Sequence, residues 1–243
     1  MKIKGVIFDK DDTLIDLCEF WYTPCRETAK HVLEMCGLEK SDCNIEKMMT
    51  ACGFDSDAKL IPASPMQSGT NEDVIDAFAE KAKALGGKLP CDIHNIAFDF
   101  FHDSLIRFGK AVPVNGVDKV LRELKNKGFK LCVVTLDEYA ITRHCLEQLN
   151  VFELFDMVIC ADTVENPKPA PDAAYRFCKE FGLSPDEVIM VGDAQKDMIF
   201  AKRAGIHGVL FDPHDRFEKS SGEFVINNME DVVKIAERYP DVD

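Results

Sequence analysis

The stretch KGVIFDKDDTL, residues 4–14, decides how the rest of the chain is read. Its unbroken apolar run predicts a strand over Lys4–Phe8 that is buried on both faces, as strands are inside a parallel sheet. Open sheets of that kind bind ligands beyond the carboxyl ends of their strands. Asp9 and Asp11, which follow the run at once, therefore project toward a binding crevice. Similar runs predict strands at Leu131–Leu136, Met157–Ala161, Val188–Val191 and Gly208–Phe211, with a weaker one at Phe224–Ile226. Helical periodicity fills the intervals at Val117–Lys127, Tyr139–Leu149, Ala170–Phe181, Gln195–Ala204 and Asp231–Arg238. Gly128, Gly182 and Gly205 fall where such helices stop. Strand and helix in alternation predict an α/β, doubly wound, Rossmann-like parallel sheet.

Residues 16–110 break that rhythm. They contain no convincing strand, and apolar side chains recur at helical spacing over Asn71–Leu85 and Asp92–Phe108. Thr70 with Asp73 reads as a capping box opening the first of these helices, and Ile61–Gly69 reads as a Pro/Ser/Gly loop. The expected organisation is an α/β core made of residues 1–15 and 111–243, with an all-helical insert at 16–110.

Composition narrows the function classes. The 243 residues carry 43 acids against 29 bases, a formal net charge of −14. That excess disfavours nucleic acid and anionic membrane, which are themselves polyanions. No apolar run approaches the length of a membrane span, and the first residues do not read as a signal peptide. None of the ten cysteines forms a CxxC pair, so most read as small buried apolar residues of a reducing, cytoplasmic compartment.

The strand ends gather the chemistry. Asp9 and Asp11 end the first strand, and Val133-Val134-Thr135 brings a hydroxyl to the same edge. Val191-Gly192-Asp193 brings a carboxylate, with Asp197 one helical turn on. Lys168 sits in ENPKPAPD after the third strand. Carboxylates crowded at one edge repel unless a hard cation joins them, and Mg²⁺ favours a few carboxylates, water and phosphate oxygens. A carboxylate can attack phosphorus, and a second can protonate the leaving oxygen and later deprotonate water. Thr135 and Lys168 suit the holding and neutralising of a phosphoryl group.

D-x-D-x-T-L, a strand ending in Thr, a Lys before Pro and GD-x-x-x-D, in this order, resemble the haloacid dehalogenase-like (HAD) superfamily. The resemblance covers nearly the whole chain and is nearest the branch with a helical cap after the first motif, which includes phosphoglycolate phosphatases. It implies an Mg²⁺-dependent phosphatase of small phosphorylated metabolites, working through an aspartyl phosphate. It implies Asp9 as nucleophile, Asp11 as general acid/base, and Thr135 with Lys168 as the phosphate-binding pair. Asp9, the backbone carbonyl of Asp11 and Asp193 are implied as metal ligands, with Asp197 in or behind the metal shell. Two positions depart from the family pattern: Asp12 stands where Gly is usual, and Leu136 where Asn or Gly is frequent. A phosphomutase, a phosphonatase using Lys30, Lys59 or Lys81, and a non-catalytic regulatory binding protein on the same fold are the alternatives.

Other residues read more plainly. The six histidines lack metal spacing. Phe20 and Trp21 read as core, and Arg107 as a solvated helix charge. The loop Ser64–Thr70 is equally a specificity loop or an ordinary turn. Oligomeric state is not encoded in any of these patterns.

Overall fold

The computed structural model describes residues 2–217 and 224–239. The chain divides into two compact units, Met1–Asp16 with Ala111–Asp243, and Leu17–Lys110.

The first unit is a six-stranded parallel sheet: β1 (Gly5–Phe8), β2 (Lys130–Val134), β3 (Met157–Ile159), β4 (Val188–Gly192), β5 (His207–Phe211) and β6 (Phe224–Ile226). The spatial order is β3-β2-β1-β4-β5-β6, so the topological switch falls at β1, between β2 and β4. Every residue of β1 and β4 is buried, which is why these segments show no polar alternation.

Helices cover both faces. On one, Ile7, Cys132, Val134 and Met190 pack with Phe177 of α8 (Asp172–Phe181) and Phe200 of α9 (Gln195–Ala204). On the other, Phe8 and Leu14 pack with Val117, Val120 and Leu121 of α6 (Val117–Asn126) and with Met229, just before α10 (Asp231–Arg238). Full burial of each such aromatic or branched side chain contributes about 1.5–3 kcal/mol. Among the described residues, the remaining α-helix of this unit is α7 (Tyr139–Gln148). Gly182 and Gly205 close α8 and α9 with φ of 63° and 72°, the left-handed region that a Cβ disfavours.

The second unit is helical throughout its named elements: α1 (Leu17–Met35), α2 (Asp42–Cys52), α3 (Pro65–Ser68), α4 (Asn71–Ala84) and α5 (Ile93–Phe108). Its core is aromatic. Trp21 of α1 lies 5.9 Å from Phe101 of α5 between ring centroids, Phe20 meets Trp21 edge-on at 5.6 Å, and His31 stacks on Phe100 at 4.0 Å. Thr70 Oγ1 accepts from the Asp73 amide at 3.3 Å, while Asp73 Oδ2 accepts from the Thr70 amide at 2.6 Å, so the expected capping box closes α4. The segment Ile61–Gly69 differs from the expected plain loop. Pro65 opens one helical turn, where its missing N–H costs nothing, and the Gly69 amide donates to the Pro65 carbonyl at 2.9 Å.

All ten cysteines are free, and seven of them are buried. Arg107 pairs with Asp103 on the solvated side of α5 at 3.1 Å. Among the described residues no helix is long and apolar enough to cross a membrane.

Candidate active site

Each of the functional side chains expected from the sequence follows a strand or opens a helix at the carboxyl edge of the sheet. Asp9 continues β1, its amide donating to the Val191 carbonyl of β4 at 2.9 Å. Its side chain therefore leaves the sheet beside the end of β4, where Asp193 begins. The turn after it is tight: the Leu14 and Ile15 amides both donate to the Lys10 carbonyl, at 2.8 and 3.1 Å. Asp12 takes φ 53° in that turn. Aspartate tolerates this left-handed conformation better than most residues, so the loop forms without the usual glycine.

Lys168 reaches the same place from the segment after β3. Its Nζ donates to Asp9 Oδ1 at 2.5 Å and to Asp197 Oδ1 at 2.7 Å, with both carboxylates nearly or wholly out of solvent. Asp197, in the first turn of α9, turns Oδ2 back to accept from the Ala194 amide at 3.2 Å. It therefore caps its own helix while holding Lys168. Gly192 makes room for this: a Cβ built there would sit 2.5 Å from the Asp197 side chain. No other residue allows the strand end and the carboxylate to come so close.

Asp9, Asp193 and Asp197 each place a carboxylate oxygen within 4.8 Å of the others. Burial pushes Asp193 up to about 8, helped by the negative charges of Asp9, Asp12 and Asp197, with Arg216 opposing. Arg216 Nη2 lies 3.4 Å from Asp193 Oδ2. Burial likewise raises Asp9 to about 6; Lys168 pulls it down and Asp197 pushes it up. Burial alone would lower Lys168, but Asp197 and Asp9 outweigh it and hold the ammonium charged above its ordinary range. Three carboxylates gathered within 4.8 Å, all offering oxygen, fit a hard divalent cation.

Thr135, one residue past β2, is buried, and its Oγ1 accepts from the Asp137 amide at 3.2 Å. Leu136 beside it is exposed. The Asp11 side chain stands apart from the three-acid cluster. Its Oδ1 accepts from Lys10 Nζ at 2.8 Å.

Sequence reasoning missed Lys10, Asp137 and Asp212, all buried. Lys10 and Asp137 carry no local signal, since each looks like one more surface charge. Asp212 did carry one, because it ends β5 as Asp9 ends β1. It accepts from the Phe217 amide at 2.8 Å and lies 3.3 Å from Arg216 Nε.

The profile of the haloacid dehalogenase-like hydrolases matches residues 6–211. The pyrophosphatase PpaX of Halalkalibacterium halodurans is 30% identical over 55% of this chain and 62% of its own length, so the chain spans about three fifths of that relative. A putative pyrophosphatase PpaX of Clostridium perfringens is 25% identical over 97% of this chain and 98% of its own. The crystal structure of a predicted phosphoglycolate phosphatase from Haemophilus somnus shares the fold, with a TM-score of 0.74 at 21% identity over 98% of this chain and 99% of that one. With the profile spanning most of the sheet and the acids standing at its carboxyl edge, the chain belongs to the haloacid dehalogenase-like hydrolase family, and its relatives are phosphatases.

Proposed function

We propose that this protein is an Mg²⁺-dependent phosphatase of small phosphate compounds that works through an aspartyl phosphate, an acyl phosphate on Asp9. The observation that carries the reading is the buried Asp9–Lys168–Asp197 triad beside Asp193, a nucleophile-sized carboxylate held by a cation at a cluster suited to a metal.

An Asp9 carboxylate oxygen attacks the phosphorus atom while the bond to the leaving oxygen breaks. Asp11 gives its proton to that oxygen. Water then attacks the phosphorus of the aspartyl phosphate, Asp11 takes the water's proton, and phosphate leaves with Asp9 restored. Lys168 and Thr135 hold the phosphoryl oxygens through both displacements. Asp9 and Asp193, with the Asp11 carbonyl, are the groups to hold Mg²⁺, and Asp197 stands behind them. The bound ion would neutralise charge on the phosphoryl oxygens. The helical unit Leu17–Lys110 serves as the cap that selects the ester, with the Ser64–Thr70 loop as its specificity element.

The names of the relatives make pyrophosphate a second candidate substrate beside phosphoglycolate-type monoesters. Hydrolysis of p-nitrophenyl phosphate, 2-phosphoglycolate and pyrophosphate in Mg²⁺ and in EDTA tests the reading. Chelation should abolish turnover and Mg²⁺ restore it, and acid-quenched enzyme should carry a phosphate on the peptide containing Asp9. Full activity in chelator would overturn the metal role; turnover with no phosphate ever trapped on that peptide would overturn the covalent one.

A further inference from the structure

Lys10 is an unusual place to find a lysine. It lies between the two aspartates of the first motif and is completely buried. Its Nζ is 2.8 Å from Asp11 Oδ1 and 3.2 Å from Asp137 Oδ2. Burial would lower its proton affinity, but Asp11 and Asp137 outweigh burial and keep the ammonium charged. Asp137 is itself fixed on three sides. Its amide donates to Thr135 Oγ1 at 3.2 Å, its Oδ1 accepts from the Glu138 amide at 2.9 Å, and its carbonyl accepts from the Ala161 amide at 3.1 Å. A continuous line thus runs from Thr135 through Asp137 and Lys10 to the carboxyl group of Asp11.

A buried ion costs several kcal/mol in lost hydration, and a methionine of similar length would fill the space without that cost. The pair is therefore a poor device for stability. It is a good device for orientation. Asp11 stands on a tight turn with its side chain partly exposed, and an acid/base group must meet the leaving oxygen at hydrogen-bond distance. Misplacement by about 1 Å can cost roughly 10²-fold in rate.

We propose that Lys10, braced by Asp137, is a positioning residue that fixes the Asp11 carboxyl group for proton transfer. The proposal rests on the reading of Asp11 as general acid/base.

The test compares kcat/KM for 2-phosphoglycolate, whose alkoxide must be protonated as it leaves, with that for 2,4-dinitrophenyl phosphate, whose phenolate leaves without a proton. Asp11→Asn serves as the reference. Lys10→Met should lower kcat/KM for the alkyl ester by at least about tenfold, part of the 10²–10⁴-fold that such catalysis supplies, and lose much less on the aryl ester. Asp137→Asn should show the same split to a smaller degree. If Asp11→Asn shows the split and Lys10→Met lowers both substrates equally, or neither, the positioning role is wrong. If Asp11→Asn shows no split, the acid/base reading itself fails, whatever Lys10 does. Should Lys10→Met not fold, Asp137→Asn decides: a selective loss on the alkyl ester upholds the proposal, and a uniform loss or none overturns it.

Discussion

Among the described residues, the polar side chains buried in Leu17–Lys110 are Thr28, Ser64 and Ser104, all of them hydroxyls. The sheet-bearing unit buries the hydroxyls of Thr13, Thr135 and Thr142 and, in addition, the charged side chains of Asp9, Lys10, Asp137, Lys168, Asp197 and Asp212. Both units hide a large apolar core, so the contrast does not come from a difference in hydrophobicity. A helical unit stabilised by stacked aromatics needs no internal charge, because its backbone donors and acceptors are spent within the helices. In the other unit the charges meet beyond the strand ends, where backbone pairing stops and dehydration costs several kcal/mol per ion. A fold keeps such groups for chemistry more readily than for stability. Substitutions in the two units should therefore damage different properties.

The sharpest separation comes from Asp9→Asn. Turnover should fall by several orders of magnitude, while the melting temperature moves little, because Lys168 keeps Asp197 at 2.7 Å. A kinetic assay beside a thermal melt checks this, and parallel loss of both would erase the contrast between the units. Phe101→Ala should do the opposite. It removes a buried ring against Trp21 and should cost about 3–5 kcal/mol of stability in that unit by denaturant titration. The surviving folded molecules should still cleave a simple aryl phosphate.

Smaller effects sharpen the same comparison. Asp193 has its proton affinity raised to about 8 in the fold, from an ordinary 3.8. The folded protein therefore takes up a proton before the unfolded chain does, and without cation its stability should rise as pH falls from about 9 to 4. Asp9, raised to about 6, steepens that rise between about pH 7 and 4. Melting curves in EDTA across this range would show it, and Asp193→Asn should flatten the portion above pH 6. A melting temperature that falls between pH 9 and 6 would contradict the burial of Asp193. Smallest is Thr70→Ala, which opens the capping box of α4 and should cost about 1 kcal/mol with no change in the pH profile between about pH 9 and 6.

How much of this could be read in the sequence depended on whether a residue's partners lie close along the chain. Strands buried on both faces declare themselves as apolar runs, so β1 through β6 were legible to within a residue or two at each end. α4 and α5 were legible from their period, and α4 also from its cap. α1 and α2 were not singled out, since Pro24, four cysteines and several threonines blur the apolar stripe that burial later reveals at Phe20, Trp21, Val32 and Leu33. Strand order is written in no single strand. It depends on how crossovers pack, and so it appeared only in the fold. In the candidate site, the residues that end strands were legible because topology alone brings them together. Lys10 and Asp137 were not, because a buried pair separated by more than a hundred residues leaves no trace in either neighbourhood.

The central place of β1 has a consequence for how the protein is made. β1 leaves the ribosome well before either of its two sheet partners, which begin at Lys130 and Val188. At about 5–20 residues per second, β2 follows roughly 6–25 s later, and β4 later still. Throughout that interval four wholly apolar-facing residues wait without a neighbour, while Leu17–Lys110 has time to complete its own helices. A chain arrested before residue 188 would hold a helical unit and an open edge on β1, the kind of edge that chaperones cover and other nascent chains can pair with. The candidate site, which pairs Asp9 with Lys168 and Asp197, cannot assemble until translation has passed the first turn of α9.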